Sequence, residues 1–340
     1  MIGSNTAQRR NFGMKRREFM ALLGGAAASA PLAARAQQAT PPVIGYLASG
    51  IPADQASLTA ATREGLKETG YEEGRNLVIE YRWAEGDYDR LPRLAAELVA
   101  RNVALIVAVG GNNPTRAAKD AAPNIPIVFV SAADPIKAGL VASLNRPDGN
   151  ITGISMIGAA LEAKRLELLH EMIPQAATIG VLINPKYQEA HTQAAEATEA
   201  ESRLGFRVVI RNASTAQEVG SAFDAFAQQK AGALLVCNDA FFGSIREQLA
   251  SLALRHKLPL MSFRREFAEV GALLSYGPQF AEGYRQAGRY AGQILKGAKP
   301  TDLPVMQPTK FEMVVNLKTA RSLGLAISES FLFRADEVIE

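Results

Sequence analysis

The sequence predicts an α/β protein of two Rossmann-like (flavodoxin-like) lobes, each built on a parallel sheet, with a ligand cleft between them. Three echoes along the chain carry this expectation. Ile44-Gly45-Tyr46-Leu47-Ala48-Ser49-Gly50 is answered 135 residues later by Ile179-Gly180-Val181-Leu182-Ile183-Asn184-Pro185. Both are short apolar, β-rich runs that end in small or polar turn residues. Gly70-Tyr71 closes the helical pattern after the first copy, and Gly205-Phe206 closes it after the second, again 135 residues apart. Ala104-Leu105-Ile106-Val107-Ala108-Val109-Gly110 then finds its counterpart in Ala233-Leu234-Leu235-Val236-Cys237-Asn238-Asp239. A repeated unit containing β-α-β-α-β is one open α/β lobe, and two such lobes face each other across their strand ends.

Taken in order, a first strand at 43–48 leads through a Ser-Gly-Ile-Pro loop to a helix at 55–69. Residues 77–83 alternate as a strand. Leu91, Leu94, Ala95 and Leu98 form one stripe of the next helix. A strand at 105–109 ends in Gly110-Gly111-Asn112-Asn113 and a helix to Asp120, and Pro126 introduces a strand at 127–130. The breakers Asn145-Arg146-Pro147-Asp148-Gly149-Asn150 mark a crossing into the second lobe. There the pattern gives helices at 161–173, 190–204, 216–228 and 241–255. It gives strands at 179–183, 207–210, 234–236, 260–262 and 273–276. A helix at 284–295 is expected to return to lobe one. A strand at 311–315, a helix capped by Asn316 and a stop at Gly324 return to lobe two. The expected division is 43–152 plus 278–308 for lobe one and 153–277 plus 309–340 for lobe two.

The chain has 340 residues, 48% hydrophobic and 21% charged, enough for two cores. Its net charge of +3 is unevenly placed. Residues 1–36 hold six basic side chains against Glu18, a net +5, which leaves −2 for the rest. The body therefore offers no net positive field for nucleic acid. Cys237 is the sole cysteine and lies in an apolar strand pattern, so core packing is its expected role.

Residues 1–36 read as an export signal. Met14-Lys15-Arg16-Arg17 is basic, 21–34 is small and apolar, and Ala34-Arg35-Ala36 supplies a cleavage site before Gln37. The run is too short and too rich in Gly and Ala to span a membrane. Arg16-Arg17-Glu18-Phe19-Met20 resembles the twin-arginine export motif; the alternative is a Sec signal with incidental arginines. Met14 is a second candidate start. The expected location is the periplasm, after cleavage near Ala36.

Catalytic signatures are missing. His170, His191 and His256 lie far apart without ligands at metal spacing. Gly110-Gly111 is not a dinucleotide turn, and the Gly292–Lys299 stretch lacks the P-loop lysine and follows a helix. There is no G-x-S-x-G elbow. No enzyme activity, catalytic residue, metal or cofactor is expected.

In open α/β lobes, ligands sit beyond the carboxyl ends of the strands. The candidate ligand-binding residues there are Ser49, Gly110, Gly111, Asn112, Ser131, Asp134, Asn184, Tyr187, Asp239, Phe241 and Tyr276, with Ser262 to Arg264 at another strand end. Backbone N–H groups at helix starts suit a carboxylate. Asp134 or Asp239 suits an ammonium, and the aromatics suit an apolar side chain. Each has a plainer role available: Asp239 as a helix cap, Asp134 as a turn residue, Phe241 as packing.

A set of stretches then resembles one family. They are Glu80-Tyr81-Arg82-Trp83-Ala84-Glu85-Gly86, Asp134-Pro135 through Asn145-Arg146-Pro147, Lys164-Arg165-Leu166-Glu167-Leu168-Leu169, Arg265-Glu266-Phe267, Ser275-Tyr276-Gly277, Tyr284-Arg285-Gln286-Ala287-Gly288 and Lys310-Phe311-Glu312 to Ala320. Over essentially the whole mature chain the sequence resembles ABC-transporter substrate-binding proteins of the tryptophan/tyrosine-binding type, with a type I periplasmic binding fold. Asp148 and Ala272 stand where that family usually has glycine. The resemblance implies a monomeric periplasmic receptor that binds a small solute, by default an aromatic or hydrophobic amino acid, and delivers it to separate permease and ATPase subunits. The alternatives are a periplasmic sensor domain, a flavodoxin-like or hydrolase-type enzyme, and a repressor effector domain. The last is disfavoured by the leader and by the absence of a DNA-binding headpiece.

Overall fold

In the first lobe, five parallel strands run in the order β2-β1-β3-β4-β5. They are β1 (Val43–Ala48), β2 (Val78–Trp83), β3 (Ile106–Val109), β4 (Ile127–Ser131) and β5 (Ile151–Ser155). Helices α1 (Ala56–Glu68), α2 (Leu91–Ala100) and α3 (Asn112–Ala121) connect them. A computed structural model provides these coordinates and describes residues 40–132, 134–156, 161–308 and 310–340. The expected export signal, with Arg16, Arg17 and its cleavage site, lies outside the described residues.

The second lobe repeats the scheme. Strands β6 (Thr178–Ile183), β7 (Arg207–Asn212), β8 (Ala233–Val236), β9 (Leu260–Ser262) and β10 (Leu274–Pro278) lie in the order β7-β6-β8-β9-β10. β11 (Phe311–Asn316) adds antiparallel to β10, and β12 (Glu337–Ile339) adds parallel to β11. The helices are α4 (Glu162–Met172), α5 (Ala190–Leu204), α6 (Ala216–Gln228), α7 (Ala240–Ser244), α8 (Arg246–Arg255), α9 (Arg265–Glu269), α10 (Phe280–Leu295), α11 (Leu317–Ser322) and α12 (Glu329–Leu332). The sequence echo is thus a topological one: β6 is to its sheet what β1 is to the first. In both, order reverses next to the first strand, which opens a crevice at its carboxyl end.

Both faces of each sheet are covered by apolar clusters. The strands accordingly read as continuous apolar runs. Cys237 is fully buried in the second lobe's core. Three details differ from the sequence expectation. β5 pairs with β4 through Ser155, so residues 153–155 lie in the first sheet. The helix expected over 241–255 is broken at Ile245 (φ −111°, ψ 21°) into α7 and α8. Helix α9, helix α12 and strand β12 are short elements that carry no clear period of their own.

Helix α10 leaves the second sheet and packs on α1, which returns the chain to lobe one as expected. The approach is close enough to require glycine. A Cβ on Gly288 would lie 2.1 Å from the Thr62 carbonyl oxygen, and one on Gly65 would lie 1.8 Å from that of Arg285. Gly288→Val is therefore expected to destabilise the protein by about 3 kcal/mol, the upper end of ordinary overpacking. An unchanged melting temperature would show that the two backbones do not touch.

Candidate ligand cleft

The carboxyl ends of the strands bring both lobes to one buried cavity. Lobe one supplies Gly110, Gly111, Val130, Ser131 and Ala132, with Asp54, Gln55 and Leu58 from the start of α1. Lobe two supplies Tyr187, Asn238, Asp239, Ala240, Gly243, Phe263 and Arg264. Met156, Phe280 and Tyr284 close the side where the chain crosses between lobes. The cavity holds about 40 Å³ of water-accessible volume, room for roughly three waters. An amino acid needs more, so entry requires the lobes to part.

The lobes are held together by direct contacts. Tyr88 lies on a 3-10 turn capped by Asp87 and donates its hydroxyl to Asp239 Oδ2 at 2.5 Å. Arg264 Nη2 reaches both Asp54 oxygens at 2.9 Å, and Arg246 joins the same carboxylate. The break at Ile245 is what lets α8 start with Arg246 beside Asp54. Asn112 Nδ2 donates to Glu189 at 2.6 Å, and Lys186 pairs with Asp89 at 2.6 Å near the rim. Two successive positive φ angles, at Gly110 (90°) and Gly111 (118°), fold the turn after β3 under Tyr187. A Cβ on Gly111 would lie 3.0 Å from the Tyr187 ring.

Asp239 is the chemically distinctive group. It follows β8, caps α7 by accepting from Phe242 N–H at 3.1 Å, and accepts from Asn184 Nδ2 at 3.1 Å. It is 2% exposed. Its hydrogen-bond partners among the described residues are a phenol, an amide and backbone N–H groups, none of them a cation. Burial pushes its carboxyl above the usual range, against the pull of the hydrogen bonds from Tyr88 and Asn184. Burial also raises the Tyr88 and Tyr187 hydroxyls well above their ordinary value. Elsewhere in the lining, burial lowers the pKa of the Arg264 guanidinium. Arg264 and Arg246 share the single carboxylate of Asp54, with Glu266 3.7 Å from Arg264. The cavity lining thus holds a buried carboxylate with no cation among its hydrogen-bond partners in the described residues, the Arg264 guanidinium of the Asp54 cluster, and apolar side chains.

Of the residues picked out from sequence, Gly110, Gly111, Ser131, Tyr187 and Asp239 line the cavity. Ser49, Asn112 and Asn184 lie just behind: Ser49 against Gly110, Asn112 accepting from Ser131, Asn184 donating to Asp239. Three stand apart from it. Asp134 is exposed and spends Oδ1 on the N–H groups of Ile136 and Lys137. Phe241 packs across the lobe boundary on Gly86. Tyr276 stacks on Phe311 at 6.0 Å. The cavity also uses Asp54, Gln55, Leu58, Phe280 and Tyr284, none of which was among the candidates, and Phe263, which was named only as part of a strand end. Asp54 and Gln55 lie in the loop after β1, and Phe263 lies in the Ser262 to Arg264 strand end. Phe280 and Tyr284 sit on a helix whose period gave no hint of a cleft.

The model of a family described as ABC transporter substrate binding protein matches residues 55–339. The chain belongs to that family. A tyrosine-binding protein of Clostridioides difficile is 28% identical over 262 residues, covering 77% of this chain and 75% of the relative. The structure of an ABC domain in complex with L-Trp from Streptococcus pneumoniae has a TM-score of 0.79 at 28% identity, over 88% of this chain and 99% of that one. A ligand-free, open substrate-binding protein from Clostridium difficile covers the same shares at 25% identity, but with a TM-score of 0.61. The chain is thus more like the tryptophan complex than the ligand-free, open structure. Two of these relatives are described by an aromatic amino acid, tyrosine for one and L-Trp for the other. Among the described residues no helix is long and apolar enough to cross a membrane, and no group of three His, Cys, Asp or Glu side chains could hold a metal.

Proposed function

We propose that the protein is the periplasmic receptor of an ABC importer and binds an aromatic or hydrophobic amino acid between its lobes. The observation that carries this reading is Asp239, a carboxylate buried at the cleft with no cation among its hydrogen-bond partners in the described residues. An isolated buried charge is costly, and a ligand ammonium supplies the missing partner. Arg264 and the backbone N–H groups at the start of α3 suit the ligand carboxylate. Leu58, Met156, Phe263, Phe280 and Tyr284 suit an apolar side chain.

Chain crossings near 155, 278 and 308 then act as the hinge between lobe one and lobe two. Ligand favours the closed form by touching both lobes. Permease and ATPase would be separate chains, and the receptor would act as a monomer. Its basic leader supports export, by the twin-arginine or the Sec route.

The test is mass spectrometry of small molecules released from purified, denatured protein, followed by calorimetric titration of what is found. A single amino acid, recovered unaltered and bound one per chain, is the expected result. A sugar or another solute without an ammonium group would overturn the reading. A ligand chemically changed by long incubation with the protein alone would favour an enzyme.

A further inference from the structure

At and just behind the cavity wall, lobe one carries buried polar atoms with no hydrogen-bond partner among the described residues. Gln55 is the residue before α1. It is 4% exposed and lines the cavity. Its Oε1 has no hydrogen-bond partner among the described residues. Ser49 Oγ, fully buried and packed behind Gly110, is also unpartnered. The Gln55 side chain lies over the loop that follows β1. Its Nε2 lies over Gly50, where a Cβ would come within 2.3 Å.

Buried polar atoms in native proteins are nearly always hydrogen-bonded, and one left unmet carries its full desolvation cost. The surroundings say what kind of group would meet this one. Leu58 lies three residues further along the chain. Phe263 and Phe280 meet edge to face at 6.2 Å, and Tyr284 completes the wall. A flat ring fits against such a wall. Gln55 Oε1 accepts only, so the group at the edge of that ring must donate.

We infer that Gln55 is a specificity-determining residue: its Oε1 reads an O–H or N–H donor on the ring of the bound amino acid and so separates such ligands from those with a bare ring. This rests on the amino-acid reading above. The shared chemistry is a ring-borne donor, and a phenol and an indole both have one. Discrimination would come from the bond that a ring-borne donor gains. A bare ring leaves the Gln55 carbonyl oxygen buried and unpaired, as it stands here.

The test is calorimetric titration of L-tyrosine, L-tryptophan and L-phenylalanine against the natural protein and Gln55→Leu. Gln55→Met serves as a second variant of similar volume, and melting curves check that each is folded. The natural protein should bind tyrosine or tryptophan about ten- to a hundredfold more tightly than phenylalanine, the scale of one buried hydrogen bond lost with its acceptor stranded. The two separate titrations show whether the phenol or the indole is the donor. In the variants the ratio should fall to about threefold or less, with phenylalanine binding unchanged or improved. Equal affinity for phenylalanine in the natural protein would overturn the assignment of Gln55. So would a ratio that survives in the variants. Both outcomes leave the amino-acid reading standing. Failure of all three to bind the natural protein would overturn that reading and this one with it.

Discussion

Asp239→Asn is expected to weaken amino-acid binding by about tenfold or more while leaving the fold intact, since it removes one charge-assisted hydrogen bond of roughly 1.5–3 kcal/mol. Asparagine is as good a helix cap as aspartate. Its Oδ1 keeps the acceptor for Phe242 N–H and Asn184 Nδ2, and its Nδ2 takes the place of Oδ2, where it donates to a Tyr88 hydroxyl turned to accept. Asp239→Ala loses the cap and strands Tyr88 and Asn184 as well, so it should lower affinity and melting temperature together. Unchanged affinity in Asp239→Asn, measured by calorimetry, would reduce Asp239 to its capping role. The pH dependence has a definite sign. Burial holds the carboxyl above its ordinary value of 3.8, and only the ionised form pairs with an ammonium. Affinity should therefore fall as pH drops through that raised value. Without ligand the sign reverses. A carboxyl raised by folding contributes stability that is fully present below 3.8 and is lost as pH climbs through the raised value. Asp239→Asn should lack both effects, so the difference between the two proteins isolates this residue from other carboxyls raised by burial, such as the half-buried Glu189.

Arg165→Met should destabilise the protein by about 3–5 kcal/mol, the usual cost of removing one partner of a buried ion pair. Arg165 Nη1 lies 3.0 Å from Glu162 Oε2, and both side chains are 0% exposed. The same guanidinium donates to the Tyr276 carbonyl at 2.8 Å. Removing both charges together, as Glu162→Met with Arg165→Met, should recover most of that stability. Binding should not recover with it. Glu162 accepts the Asn238 N–H at 3.1 Å, and Gln193 donates to the Asn238 carbonyl at 2.8 Å. These two buried side chains grip the turn that presents Asp239. Thermal melts and titrations on the same pair of variants separate the two roles. A single variant with an unchanged melting temperature would show that the ion pair adds nothing to stability.

The repeat made the architecture legible. A parallel strand buried on both faces is a short continuous apolar run, and 43–48 and 178–183 are such runs with matched turns behind them. Strand-end logic reached Gly110, Gly111, Ser131, Tyr187 and Asp239 because those positions follow from local pattern alone. It could not reach the partners that closure selects. Tyr88 meets Asp239 across 151 residues of sequence, and Asp54 meets Arg264 across 210. Nothing in the composition of either loop specifies its opposite number. Asp134 looked as suitable as Asp239 for the same reason: both are an aspartate after a strand. What separates them is burial. One is exposed and spends its oxygen on its own turn, and the other is sealed between lobes. Gln55 was hidden by its place at a helix start, where a polar side chain is ordinary.

The contacts that join the lobes here are made by the protein alone, and this sets how sharply an empty molecule differs from a loaded one. Every bond of the Asp54–Arg264 or Tyr88–Asp239 kind raises the share of empty molecules already shut. Apparent affinity scales with that share, so such latches tighten capture and slow escape. They also blur the message. A partner that senses only whether the halves have come together receives some response from molecules carrying nothing. Weakening the rim pair Lys186–Asp89, which is open to salt, would sharpen the contrast between empty and full at the expense of grip. The buried Asp54 cluster is shielded from ions and would keep its background signal at any ionic strength.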